Sequence, residues 1–273
     1  MSDLYIYCLT SKKYNLFKYL PSNIIPLGLG DNLYPKDFLN EKLGINNSKH
    51  NKYLAEMTGI YWVYKNQINK FKNDDWIGFC HYRRFWLNDL YNQNHKIKSS
   101  LYSKLLTDNG KFKITDVILA QPTKLKRETI MDHFINNHGD KMIFEAIDIL
   151  DEQTAKDFKD YLNNREFSCC NMFITKPKIL IDYCEFVFPY LLKILKYCED
   201  NNLCTGKNTK LPAYFIERFT SFWFHKNTNV SYLSYAQLNN FFASDFLNKF
   251  INTFKLPGTF MFYPTVLDIL CEK

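Results

Sequence analysis

Three places in the chain carry side chains able to do chemistry. His81-Tyr82-Arg83-Arg84 closes the run Trp76-Ile77-Gly78-Phe79-Cys80, which is otherwise apolar or aromatic. Two adjacent guanidiniums favour planar, bidentate contact with phosphate or carboxylate, and open α/β sheets bind ligands outside the carboxyl ends of their strands. The tetrad therefore reads as an anion site, against the bland alternative that Arg83 and Arg84 pair with surface acids. Glu217-Arg218 lies among Phe215, Ile216 and Phe219, where an acid and a guanidinium form either a buried ion pair or a proton-transfer group with its partner. His133, His138 and Asp140 make a looser cluster, and their spacing does not put both histidines on one helical turn. Polar loop residues account for it better than a metal site.

Other chemistries are excluded at the motif level. No Gly-x-Gly-x-x-Gly or Gly-Lys-Ser/Thr follows a strand, and Gly28-Leu29-Gly30 is only a fragment of one. Gly-x-Ser-x-Gly, His-Glu-x-x-His and Asp-x-Asp are all absent. Lys+Arg 35 against Asp+Glu 28 leaves +7, which suits nucleic acid, an anionic membrane surface or a phosphorylated small molecule. The lysines are scattered among asparagines rather than concentrated on one element. This favours a localised anion site and no nucleic-acid partner.

The elements that must position these groups follow from pattern. With 273 residues, 46% hydrophobic, and only 9 Gly and 9 Pro, the chain is a folded protein rather than a disordered or collagenous one, and strands alternating with helices along it indicate one mainly parallel α/β sheet. Leu4–Leu9 predicts a first strand before the turn Thr10-Ser11-Lys12-Lys13, and Ile24–Leu27 a second closed by Gly28 and Gly30. Leu54, Thr58, Tyr61 and Lys65 share one face of a helix expected over about 51–69, with Tyr61 and Trp62 as core. Trp76–Arg83 and Val117–Ala120 predict buried strands, and Cys170–Ile174 a late one. Helices are expected near 127–136 and 141–150, and from Thr154, with Asp157 as an imperfect capping box. Further helices follow at 177–200, broken at Pro189, then at 211–225 and 243–254.

The amino-terminal segment lacks the cationic and apolar regions of a signal peptide. The most apolar stretch of the chain, Phe186–Leu192, is far below the roughly 20 residues of a membrane span. The eight cysteines are scattered, with no Cys-x-x-Cys, as for buried reduced thiols. A cytoplasmic protein is expected, with peripheral contact at the inner face of the membrane.

Asn51-Lys52-Tyr53-Leu54-Ala55-Glu56-Met57-Thr58-Gly59-Ile60-Tyr61-Trp62-Val63-Tyr64-Lys65-Asn66, followed by Asp75-Trp76-Ile77-Gly78-Phe79-Cys80-His81-Tyr82-Arg83-Arg84-Phe85, resembles a family of bacterial capsular-polysaccharide and O-antigen glycosyltransferases long filed as a domain of unknown function. Ile25-Pro26-Leu27 with Gly30, Asp116–Leu119, Asn171–Ile174 and Glu217-Arg218 extend the likeness. Ala55, Met57, Ser11, Lys210 and Ala213 depart from it, standing where Cys, Leu, His, Arg and Gly are usual.

The resemblance implies one glycosyltransferase domain over 1–273 with a GT-A-like fold: a single, mainly parallel central sheet flanked by helices, and a helix-rich C-terminal half. It implies a UDP-sugar donor, a glycan or lipid-linked glycan acceptor, and inverting transfer without a metal, as in galactofuranosyltransferase relatives. No cofactor is expected. The Asp-x-Asp that carries a divalent cation in GT-A enzymes would end the strand where His81 to Arg84 stand, so cationic side chains would receive the leaving diphosphate. Glu217 is the candidate base, with Arg218 orienting it and Asp75, Asp132 and His133 as runners-up. Thr10, Lys12, Asn51, Glu56, Thr58, Lys65, Asp75 and Asn171 would contact nucleotide or sugar, and Asp132, His133 and His138 the acceptor. The alternative is a degenerate transferase that binds glycan or nucleotide without catalysis.

Overall fold

The computed structural model describes residues 2–12, 17, 20–88, 105–110, 112 and 115–238, with backbone alone for 238 and 259–262. Twelve strands form among these residues: β1 (Leu4–Thr10), β2 (Ile24–Gly28), β3 (Leu39–Asn40), β4 (Trp76–His81), β5 (Arg84–Trp86), β6 (Val117–Ala120), β7 (Thr123–Lys124), β8 (Glu166–Phe167), β9 (Phe173–Thr175), β10 (Val230–Leu233), β11 (Tyr235–Leu238) and β12 (Thr259–Phe262). The helices are α1 (Asn51–Leu54), α2 (Met57–Asn66), α3 (Ile130–His138), α4 (Lys141–Asp148), α5 (Glu152–Leu162), α6 (Pro177–Asp200) and α7 (Leu211–Asn227).

The main sheet runs β10-β6-β9-β4-β1-β2-β3, with β5, β11 and β12 attached beside β4. β9 is antiparallel to both β4 and β6, while β1, β2, β3 and β4 are mutually parallel and β10 is parallel to β6. The sheet is mainly parallel, as expected.

Strand alternation fills both faces. Tyr7, Leu9, Ile77 and Phe79 point into a core shared with the helices, whereas Ile6, Cys8, Trp76 and Cys80 point into a second core with Phe85, Trp86 and Leu105. A strand covered on both sides reads as continuous apolar sequence, which is what 76–80 displays. Seven cysteines among the described residues are free thiols, five of them buried.

Local chemistry shifts several boundaries. The helix expected over 51–69 breaks at Ala55, whose φ of 47° lies in the left-handed region. Asn51 Nδ2 and Thr58 Oγ1 both donate to the Ala55 carbonyl, at 3.0 Å each, and so close the break. The capping box falls at α3, where Thr129 and Asp132 bond reciprocally, while Asp151 rather than Thr154 caps α5. Helix α6 continues through Pro189 over all 24 residues. Its face bearing Leu180, Tyr183, Val187, Leu191 and Ile194 is buried along its length, and that packing outweighs one missing N–H. The helix expected at 243–254 lies outside the described residues.

Candidate active site

Parallel order places the ends of β1, β2 and β4 at one edge of the sheet, and the reversed β9 brings its entering loop, residues 168–172, to the same edge. Because β4 is extended only as far as His81 before turning back into β5 through Tyr82-Arg83, His81 and Arg84 are register partners there. Helix α2 must begin at this edge to feed β4 at the other, so its N-cap residue Glu56 is delivered to the site. Helix α7 brings Glu217 and Arg218.

The loop before β9 is the hinge of the arrangement. Cys170 and Asn171 both have positive φ, 76° and 48°, and consecutive left-handed non-glycine residues cost of order 1–3 kcal/mol each unless their surroundings hold them. Four bonds do so. The Cys170 N–H donates to Glu217 Oε1 at 3.2 Å, Asn171 Nδ2 donates to Glu56 Oε1 at 2.9 Å, and Thr220 Oγ1 donates to Asn171 Oδ1 at 3.0 Å. Tyr183, 2.7 Å from Thr220 Oγ1, backs the chain from the core.

Glu217 stands at the centre, its side chain 21% exposed. Burial pushes its carboxyl up, Arg218 and Arg84 pull the other way and Glu56 adds to the rise, with the net at about 7. Arg218 is buried and held on several sides. Its Nη1 donates to the Tyr214 carbonyl at 2.5 Å and lies 3.4 Å from Glu217 Oε2, and its guanidinium packs over the Phe134 and Phe167 rings.

His81 is 8% exposed. Its Nε2 is buried without a partner. Burial lowers it to about 4, Glu56 opposing and Arg84 assisting. It is therefore neutral at pH 7, and the positive charge of the tetrad resides on the two arginines. Arg83 packs on the Tyr82 ring at 5.0 Å, while Arg84 sits in the field of Glu217 and Glu56.

A second group converges at the ends of β1 and β2. Thr10 Oγ1 closes a turn by donating to the Lys12 carbonyl at 2.6 Å and accepting from its N–H at 3.0 Å; Lys12 itself is exposed. Asn51 Nδ2 donates to Thr58 Oγ1 at 2.8 Å. Glu41, which no motif signalled, is fully buried here and accepts from the Gly30 N–H at 2.5 Å.

Four expected residues stand elsewhere or are otherwise engaged. Asp75 is buried at the amino end of β4, the far end from His81, where it accepts from the Asp3 and Lys72 N–H groups at 2.9 Å. Lys65 is nine residues along α2 from Glu56, about 13 Å of helix rise, and lies over the Tyr61 and Tyr64 rings. Asp132 is the capping-box acid of α3. His138 stacks on Tyr214 and bonds Asn208. Among the described residues no three His, Cys, Asp or Glu side chains converge as a metal site.

The family described as Domain of unknown function (DUF4422) matches residues 5–228. No curated protein matches the chain. The apo structure of WbbM, a bifunctional glycosyltransferase, superposes with a TM-score of 0.64 at 16% identity, covering 88% of this chain and 46% of its own. This likeness gives the chain a GT-A-like fold. The chain spans less than half the length of that structure.

Proposed function

This chain belongs to the DUF4422 family, and from that premise we propose that it is a glycosyltransferase. It moves a sugar from a UDP-sugar to a glycan or glycolipid acceptor in bacterial surface-polysaccharide biosynthesis, with inversion and without a metal. The observation that carries this reading is one carboxyl, Glu217, held near neutral pH and lying in the field of Arg84 at the carboxyl edge of a GT-A-like sheet.

In the proposed reaction the acceptor hydroxyl oxygen attacks the sugar C1 and the bond from C1 to the diphosphate oxygen breaks. The electron pair leaves on the diphosphate, and Glu217 takes the hydroxyl proton. A general base works best with a pKa near the working pH, and burial supplies it. Arg83 and Arg84 receive the diphosphate charge. One unit charge about 4 Å away is worth ~4 kcal/mol at an effective dielectric of about 20, nearly three powers of ten in rate. Neutral His81 adds no charge.

No helix among the described residues is long and apolar enough to cross a membrane, and contact with a lipid-linked acceptor is proposed as peripheral. Sugar transfer by the purified protein with a panel of UDP-sugars, in excess EDTA, tests the reading. Transfer that persists in EDTA is expected. Its abolition would put a metal in the arginines' place, and nucleotide binding without transfer or hydrolysis would favour a non-catalytic module.

A further inference from the structure

Glu56 has two relationships to Glu217, one through bonds and one through space. Through bonds, Glu56 Oε1 anchors Asn171 Nδ2, the preceding residue is Cys170, and the Cys170 N–H holds Glu217 Oε1. Thr220, three residues after Glu217 on α7, closes the circuit onto Asn171 Oδ1. The left-handed pair Cys170–Asn171 is thus pinned from one side by α7 and from the other by the start of α2. Through space, Glu56 is the like charge that faces Glu217.

We propose that Glu56 is a positioning residue for Glu217: it anchors the Cys170–Asn171 turn that bonds the Glu217 carboxylate, and it opposes that carboxylate as a second negative charge. The catalytic significance rests on the reading of Glu217 as base, but the coupling of the two carboxyls does not. Every charged group facing Glu217 enters the balance. Arg218 on α7 and Arg84 on β5 favour its ionised form, as does the Cys170 N–H. Glu56, at the start of α2, disfavours it. The Cys169 and Cys170 thiols are held protonated by burial, and His81 is neutral. Burial is the larger cause of the rise at Glu217, and Glu56 is the one carboxylate among these neighbours that adds to it against two guanidiniums.

The two roles separate by substitution. Glu56→Gln keeps an oxygen for Asn171 and removes the charge; Glu56→Ala removes both. The test is a 13C titration of the Glu217 carboxyl in the full chain, assigned with Glu217→Gln, together with exchange protection of the Cys170 amide. Glu56→Gln is expected to lower the Glu217 midpoint by about half a pH unit or more with the Cys170 amide still protected, and Glu56→Ala to lose that protection. The acid limb of kcat/KM should move with the midpoint. A Glu217 midpoint unchanged in Glu56→Gln would overturn the charge role, and a Cys170 amide fully protected in Glu56→Ala would overturn the anchoring role. Full turnover by Glu217→Gln would instead remove the base assignment while leaving the carboxyl pair intact.

Discussion

Arg218 Nη2 lies 3.0 Å from His133 Nδ1. A guanidinium only donates, so His133 Nδ1 accepts and the ring is neutral, with its proton on Nε2. Burial and then Arg218 hold His133 below its ordinary value. His133 is thereby a support for the cation beside Glu217, and its base role gives way to that.

Removing that cation has a signed consequence. Arg218→Met should raise the titration midpoints of both His133 and Glu217, because each is lowered by the Arg218 charge. NMR titration of the two groups checks this. It should also lower Tm, since a partner of a buried charge network is lost.

The Glu217 carboxyl also imposes a pH dependence on stability. Its folded-state value of about 7 lies above the ordinary 4.5, so its contribution is fully present below 4.5 and is lost as pH rises through 7. His81, lowered from 6.5 to about 4, acts oppositely, contributing above 6.5 and losing that contribution as pH falls through 4. Glu217→Gln should therefore raise Tm relative to wild type at pH 8, with the gap narrowing toward pH 5. Thermal melts across that range measure it.

The arginines should matter to rate more than to fold. Arg83→Ala and Arg84→Ala are each expected to lower kcat/KM by on the order of 100-fold with the melting transition retained. Lys65→Ala and Asp132→Ala, whose side chains lie over tyrosines and in a helix cap, should leave kcat/KM near wild type. Steady-state kinetics on the four variants separates the groups.

Gly28 ends β2 under the Tyr34 ring, and a Cβ there would stand 2.3 Å from Tyr34 Cδ2. The Tyr34 hydroxyl donates to the Leu29 carbonyl at 2.5 Å and lies 3.0 Å from the Thr10 carbonyl, so displacing it loosens the ends of two strands together. Gly28→Ala should cost about 1–3 kcal/mol in denaturant unfolding.

Five of the twelve strands (β1, β2, β4, β6 and β9) and most helices were legible because they lie in apolar runs, as in Trp76–Cys80 and Leu211–His225, whereas the short strands β3, β5, β7, β8, β10, β11 and β12 were not. The tetrad and Glu217-Arg218 stand out in the sequence because charge at the end of an apolar strand or inside a phenylalanine-rich helix is unusual. What was hidden depends on backbone conformation or on distant partners. The left-handed Ala55 and Cys170–Asn171 carry no glycine to announce them, and Cys170 contributes through its N–H rather than its thiol. Glu41 sits in polar sequence yet is fully buried by the Gly30 turn and Thr58. Asp75 read as a site acid because it adjoins the strand, but it adjoins the wrong end. Pro189 read as a break because tertiary packing around α6 is invisible locally.

In the proposed reaction Glu217 takes a proton from an acceptor hydroxyl while a nucleoside diphosphate leaves toward Arg83 and Arg84. The most direct test is release of UDP from a panel of UDP-sugars in the presence of glycan acceptors, in EDTA, by wild type and by Glu217→Gln. Acceptor-dependent release by the wild type is expected, with a loss on the order of 100-fold or more in Glu217→Gln and nucleotide binding retained. Equal release by the two proteins would contradict the proposed reaction.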